Sequence, residues 1–337
     1  MWSRLLFTVC LVFGTLSPSL AATNDSGTQS ALESLKRANA AVVGLDVTAI
    51  PDARSAQTLG AKRSGSGVVI GADGLILTIG YLIVEADTIY VTTQDQKVWP
   101  ARVVGYDQAT GLGLVRSVMP LPGLTPVRLG TVAQLAVGEP LMVSIGGDDP
   151  DVAVTYLASK RPFSGSWEYH IDEALFTIPA VVNHSGAALF NQRGELLGIG
   201  SLLVADVLGK APRMPGNMFV PIDLLKPILE EMQATGSTRQ SHRPWLGVTS
   251  AQDEGHVFIL RVAQGSPAQD SGIRRGDVVL AVDGQPVDSL ASFYKRIWAH
   301  ARADDEIRIT VQRGLELRTL TVRGVDRMTT MKKPSWI

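Results

Sequence analysis

Cysteine is nearly absent from this chain. The single one, Cys10, lies in an apolar leader, so the rest of the chain has no thiol with which to build a disulfide. That excludes a disulfide-stapled extracellular scaffold. Charge of one sign is lacking too: 31 basic residues face 32 acidic ones for a net charge of −1. With no like-charge block, neither nucleic acid nor an acidic polymer is an expected partner. Metal-ligand spacing is missing as well, since none of the five histidines forms an HExxH-type pair, and no metal or cofactor is expected. The apolar run from Leu5 to Leu16 is too short to span a bilayer comfortably, so no stable membrane insertion is expected.

That run has another use. Arg4 gives a positive start, Leu5 to Leu16 an apolar core, and Ser19-Leu20-Ala21 a small-x-small cleavage site, which together read as a secretory signal over residues 1–21. A membrane anchor is the competing reading, and cleavage is the favoured one. Export without disulfides points to a bacterial periplasm. The chain's 337 residues, 45% hydrophobic with 33 glycines, suit two strand- and turn-rich domains.

Along the chain, residues 30–39 carry helical spacing, with Leu32 and Leu35 on one side, and 42–47 read as a strand. Residues 65–78 are two apolar runs joined by a turn holding Asp73-Gly74, a hairpin signal. Further short strands are expected at 88–93, 98–106, 152–161 and 174–176, and an apolar-periodic helix runs through Met232. Closely spaced short strands with turn signals favour a β-barrel. Residues 234–243 are polar and aperiodic and read as a linker.

One stretch invites a chemical reading: Asn183-His184-Ser185-Gly186-Ala187-Ala188-Leu189, followed by Gly194-Glu195-Leu196-Leu197-Gly198-Ile199. A serine at a bend between small residues can expose its hydroxyl to a close-lying substrate, although a serine in a tight turn is ordinary. The stretch resembles the nucleophile motif of the HtrA/Deg family of trypsin-like serine proteases, with Ser185 at the nucleophile. Gly65-Ser66-Gly67 through Asp73-Gly74 to Thr78 resembles that family's approach to its catalytic histidine. The resemblance implies a trypsin-like double β-barrel.

The same resemblance exposes three departures. Tyr81 stands at the histidine position, Gly111 at the aspartate position, and Asn183 where the family carries an oxyanion-hole glycine. Tyrosine, with an ordinary pKa near 10, is a poor acceptor for a serine proton at neutral pH. Glycine has no carboxylate to orient an imidazole. Asp107 is expected to make a turn bond. Neither His184 nor His170 is placed to substitute, and His242, His256 and His300 fall in the linker or beyond. A catalytically inactive site is expected, with Asn183 and Ser185 forming the oxyanion region.

From Trp245 onward the chain changes style. Gly265-Ser266-Pro267-Ala268, Gly276-Asp277-Val278-Val279 and Asp283-Gly284 resemble a bacterial PDZ domain, with a helix expected near 290–301 and strands at 306–313 and 317–322. The resemblance implies that Leu246, Gly247 and Val248 form the loop whose N–H groups receive a peptide C-terminal carboxylate. A packing module is the competing reading. The expected organisation is mostly β: a signal peptide (1–21), a protease-like domain (22–240), a PDZ domain (241–326) and a tail (327–337). The expected function is that of an exported pseudoprotease binding or scaffolding other proteins. Its candidate partners are peptide C-termini, unfolded exported proteins or an active HtrA relative. The alternative is a working serine endopeptidase in periplasmic quality control. The family further implies a homo-oligomer, commonly a trimer.

Overall fold

A computed structural model describes residues 25–332. The leader, with its cleavage site, and residues 333–337 lie outside the described residues. Helix α1 (Asp25–Ala40) carries Arg37 in its last turn, where a cation opposes the negative end of the helix dipole. Of the two leucines expected to share its packed face, Leu35 packs on the core and Leu32 remains 46% exposed.

The first barrel comprises β1 (Val42–Ala49), the short helix α2 (Ala56–Leu59), β2 (Lys62–Val69), β3 (Leu75–Ile79), α3 (Gly80–Ile83), β4 (Ala86–Thr92), β5 (Val98–Tyr106) and β6 (Leu112–Ser117). It closes in the order β1-β2-β3-β6-β5-β4. The expected hairpin is present: Val69 pairs with Ile76, Gly74 takes the left-handed conformation (φ 76°), and Asp73 Oδ1 accepts the Leu75 N–H at 3.3 Å. All five residues of β3 are buried, which fixes the strand that delivers Tyr81.

The second barrel is built from β7 (Arg128–Leu129), β8 (Pro140–Ile145), β9 (Asp151–Gly165), β10 (Tyr169–Ile178), β11 (Ala188–Phe190), β12 (Glu195–Val204) and β13 (Gly216–Pro221). Its order is β11-β8-β9-β10-β13-β12-β7, and β11 also pairs with β12 to close the ring. Fully buried Phe190, Leu196, Ile199 and Val220 join the cluster of the first barrel, so the two barrels share a core. Each such side chain contributes roughly 1.5–3 kcal/mol of burial. Strands β9 and β10 form a long hairpin whose turn projects beyond the barrel, stiffened by Phe163, Trp167 and Tyr169 with ring centroids 5.7–6.3 Å apart.

Residues 234–243, expected to be a linker, are exposed at five positions but anchored by buried Ser237, Thr238 and Ser241. Helix α4 (Leu229–Thr235) runs into them, and a 3-10 turn spans Arg239–His242. Thr238 and Ser241 are buried, and both hydroxyls donate to Asp107 Oδ1 at 2.5 Å. Composition suggested a tether because small hydroxyl residues look solvated. A buried carboxylate more than 130 residues away in the chain converts them into a clamp.

The C-terminal domain holds β14 (Pro244–Trp245), β15 (Val248–Asp253), β16 (His256–Val262), α5 (Pro267–Asp270), β17 (Val278–Val282), β18 (Gln285–Pro286), α6 (Leu290–Ile297), β19 (Glu306–Arg313), β20 (Glu316–Arg323), β21 (Val325–Asp326) and α7 (Arg327–Thr330). Ser266 caps α5 by accepting the Gln269 N–H, with Pro267 in the first turn, which accounts locally for the Gly-Ser-Pro-Ala run. Ser289 and Ser292 form a capping box on α6. That helix ends at Ile297, short of 301, because Ala299 and His300 close tighter bonds to Arg296 and Ile297. The sheet runs β15-β16-β17-β19-β20, leaving β15 at its edge beside α6.

Candidate functional site

The bend holding Ser185 is built by one backbone bond to the first barrel and one within the second. The Ser185 carbonyl accepts the Ser66 N–H at 2.8 Å, and the Gly186 N–H donates to the Gly200 carbonyl at 2.9 Å. Gly186 is required there: φ is +74°, and an added Cβ would lie 1.9 Å from the Ser66 carbonyl oxygen. A cleft of about 230 Å³ opens in front, bordered by Leu45, Asp46, Ser64, Asp148, Asn183 and Ser185. Burial, followed by the like charge of Asp148, pushes the Asp46 carboxyl above its ordinary value.

Tyr81, at the first helical turn after β3, reaches this serine. Its hydroxyl lies 2.8 Å from Ser185 Oγ and 2.8 Å from the Ser201 carbonyl oxygen. A phenol has one proton and a carbonyl can only accept. Both bonds form when Tyr81 donates to Ser201 and the Ser185 hydroxyl donates to the Tyr81 oxygen. Burial pushes the Tyr81 hydroxyl up to about 12, against the opposing bond from Ser185. At neutral pH the phenolate fraction is then about one in 10⁵. Ser185 therefore faces an oxygen with almost no capacity to take its proton.

Gly111 lies at the end of the turn that Asp107 organises. Its φ is +78°, and an added Cβ would sit 3.4 Å from the Tyr169 ring, whose hydroxyl donates to the Thr110 carbonyl at 2.6 Å. Asp107 is buried and makes the expected turn bond, accepting the Thr110 N–H at 2.8 Å and the Thr110 hydroxyl at 2.6 Å. Its other oxygen serves Thr238 and Ser241.

Among the described residues no histidine or carboxylate is hydrogen-bonded to Ser185. His170 contacts Ser164 Oγ and Asp172, and burial lowers its pKa. His184 is lowered for the same reason. His242 pairs with Asp326 and His300 with Asp283. Asn183 takes φ +59°, unusual for a residue with a side chain and tolerated best by Asn and Asp. Neither its N–H nor that of Ser185 donates to a protein acceptor among the described residues.

The second candidate site is the loop of Leu246, Gly247 and Val248. Its three N–H groups do converge on a carboxylate, and that carboxylate belongs to the chain itself. Glu168, at the tip of the β9–β10 hairpin, accepts from Leu246 (3.0 Å), Gly247 (2.7 Å) and Val248 (2.9 Å). Burial pushes the Glu168 carboxyl up, opposed by these three bonds and by Arg327. Sequence reasoning missed Glu168. Nothing local distinguishes an acid in a Trp-Glu-Tyr turn from a solvated one, and its target lies 78 residues away.

Comparison with known proteins bears on the two domains and the fold. The family described as "Trypsin-like peptidase domain" matches residues 65–199, and "PDZ domain" matches residues 244–323. A protein of Synechocystis sp. named "Putative serine protease HhoA" is 30% identical over 288 residues, covering 77% of this chain and 70% of that protein. A "Probable periplasmic serine endoprotease DegP-like" of Ectopseudomonas mendocina is 29% identical over 243 residues, covering 67% of this chain. The match spans 49% of that second relative, about half its length. The structure entitled "HtrA-type protease AlgW with tripeptide" superposes with a TM-score of 0.54 at 21% identity, covering 90% of this chain and 98% of that one.

Proposed function

The chain belongs to the HtrA-type family of trypsin-like serine proteases with a C-terminal PDZ domain, and within that family we propose that it is a non-catalytic member. In this reading it acts in the bacterial envelope by binding or scaffolding other proteins. One observation carries it: the Ser185 hydroxyl is bonded at 2.8 Å to Tyr81, a phenol that burial pushes up to about 12. A serine hydroxyl needs an adjacent base to attack a carbonyl. Gly111, beside the Tyr169 ring, offers no carboxylate to orient one. Even with the Asn183 and Ser185 N–H groups, which have no protein acceptor among the described residues, serving a developing oxyanion, stabilisation without a base leaves only a residual fraction of triad catalysis. Binding is assigned to the PDZ domain, with Leu246, Gly247 and Val248 as the receiving groups for a chain-terminal carboxylate.

The test is covalent labelling. The chain should take up no fluorophosphonate and release no fragments from casein. Efficient labelling that disappears in Ser185→Ala would sink the non-catalytic reading and favour the endopeptidase activity for which the relatives are named.

A further inference from the structure

Glu168 does more than touch the PDZ loop. Its neighbours follow the path of a bound chain end. Two residues before the carboxylate, the Ser166 carbonyl accepts the N–H of Ser250 at 2.8 Å, and Ser250 lies two residues into the chain from Val248 on the edge strand β15. One residue further back, the Gly165 carbonyl accepts the Tyr294 hydroxyl of α6 at 2.9 Å. From the same helix, the Lys295 ammonium donates to Asp172 at 2.5 Å. A carboxylate on the loop, a main-chain bond to the sheet edge and a contact to the flanking helix are the three elements of strand-addition recognition. The turn that presents them holds Glu168 at φ +58°, a conformation that suits glycine or asparagine better than glutamate. The glutamate side chain is therefore present against the local backbone preference, and its three N–H partners supply the compensation.

We propose that residues 165–168 are a built-in ligand for the chain's own PDZ groove, so that the docked hairpin and an external peptide C-terminus are mutually exclusive occupants. This rests on the reading of Leu246, Gly247 and Val248 as a carboxylate-receiving loop. A partner then gains the groove by displacing Glu168, and its binding is coupled to release of the PDZ domain from the second barrel. Apparent affinity is the intrinsic affinity reduced by the fraction of time the groove is open.

The experiment uses the full chain, Glu168→Gly and Glu168→Gln. Glycine removes the carboxylate at a backbone position that suits it. Glutamine keeps the side-chain length and gives a second variant should the first fold poorly. Two quantities are read: amide hydrogen exchange at 246–248, and binding of a short fluorescein-labelled peptide ending in a free valine carboxylate, with the amidated peptide as control. In Glu168→Gly, exchange of the three amides should rise by about tenfold or more, and the free-carboxylate peptide should bind about tenfold tighter than to the unaltered chain. Glu168→Gln should fall between. Faster exchange without peptide binding to any form supports the built-in ligand and overturns the chain-end-binding reading on which it rests. Exchange unchanged in both variants, or equal peptide affinity in all three proteins, overturns the proposal.

Discussion

The two candidate sites differ in what stands beside their reactive groups. At Ser185 a nucleophile-like hydroxyl borders a cleft, no histidine or carboxylate among the described residues is bonded to it, and a half-buried phenol holds it. At 246–248 the machinery is complete, with three N–H donors converging on an anion, but the place is already filled from within. The first site is chemically depleted and sterically open. The second is chemically intact and sterically closed. Depletion is changed only by substitution, whereas occupancy is changed by competition, so on the proposed reading the PDZ groove is where an external partner would act.

This difference is sharpest when the joint between the domains is broken elsewhere. Asp107 clamps Thr110, Thr238 and Ser241 through four donors in a buried setting. Asp107→Ala leaves those donors unsatisfied, and the expected loss is about 3–5 kcal/mol, as for breaking a buried charged network. Urea denaturation measures it. A midpoint shift worth less than about 1 kcal/mol would show that the Asp107 clamp is not a structural determinant of this joint.

How much of this was legible in the sequence follows from where each determinant lies. The short strands that favour a barrel and the Asp73-Gly74 hairpin rest on local patterns written within a few residues, whereas the helix near 290 was expected through the PDZ resemblance. Tyr81, Gly111 and Asn183 were legible because a resemblance supplied the positions to inspect. Glu168 and the clamp of Thr238 and Ser241 on Asp107 were not. Each is a polar side chain whose partner is more than seventy residues distant, and an unpaired polar residue reads as solvated until the fold brings the partner to it.

Acidification should loosen the second barrel by a smaller amount. Burial lowers the pKa of His170 despite Asp172, with Lys295 and Arg243 also acting to lower it, and burial lowers His184 as well. Both folded-state values lie below the ordinary 6.5, so the unfolded chain takes up protons first as pH falls. Stability is therefore full above about 6.5 and declines as pH drops from there toward the folded-state values. Urea midpoints between pH 7.5 and about 5 should fall, and His170→Gln should reduce the slope. The raised Glu168 carboxyl acts in the opposite direction as pH falls, so the comparison of slopes is the test: equal slopes in the unaltered chain and His170→Gln contradict the assignment of His170 as a neutral buried group.

The smallest effect expected is that of Tyr81→Phe, and it separates the two sites most directly. The phenol oxygen takes part in two hydrogen bonds, to the Ser201 carbonyl and Ser185 Oγ, each worth about 0.5–1.5 kcal/mol net. Ser185 borders the cleft, so water can replace its lost partner, while the Ser201 carbonyl is the group left short. The net loss should be about 1 kcal/mol. Fluorophosphonate uptake should stay at background, because removing an oxygen that accepts no proton removes no catalytic step. Peptide affinity should also stay within about twofold, since the change leaves Glu168 and its three N–H partners untouched. If Tyr81→Phe instead abolished a measurable labelling rate, the phenol would be an acid–base group and the contrast between a depleted and an occupied site would fail at its first half. If it altered peptide affinity tenfold, the two sites would be energetically coupled through the second barrel, and the groove could not be described by Glu168 occupancy alone.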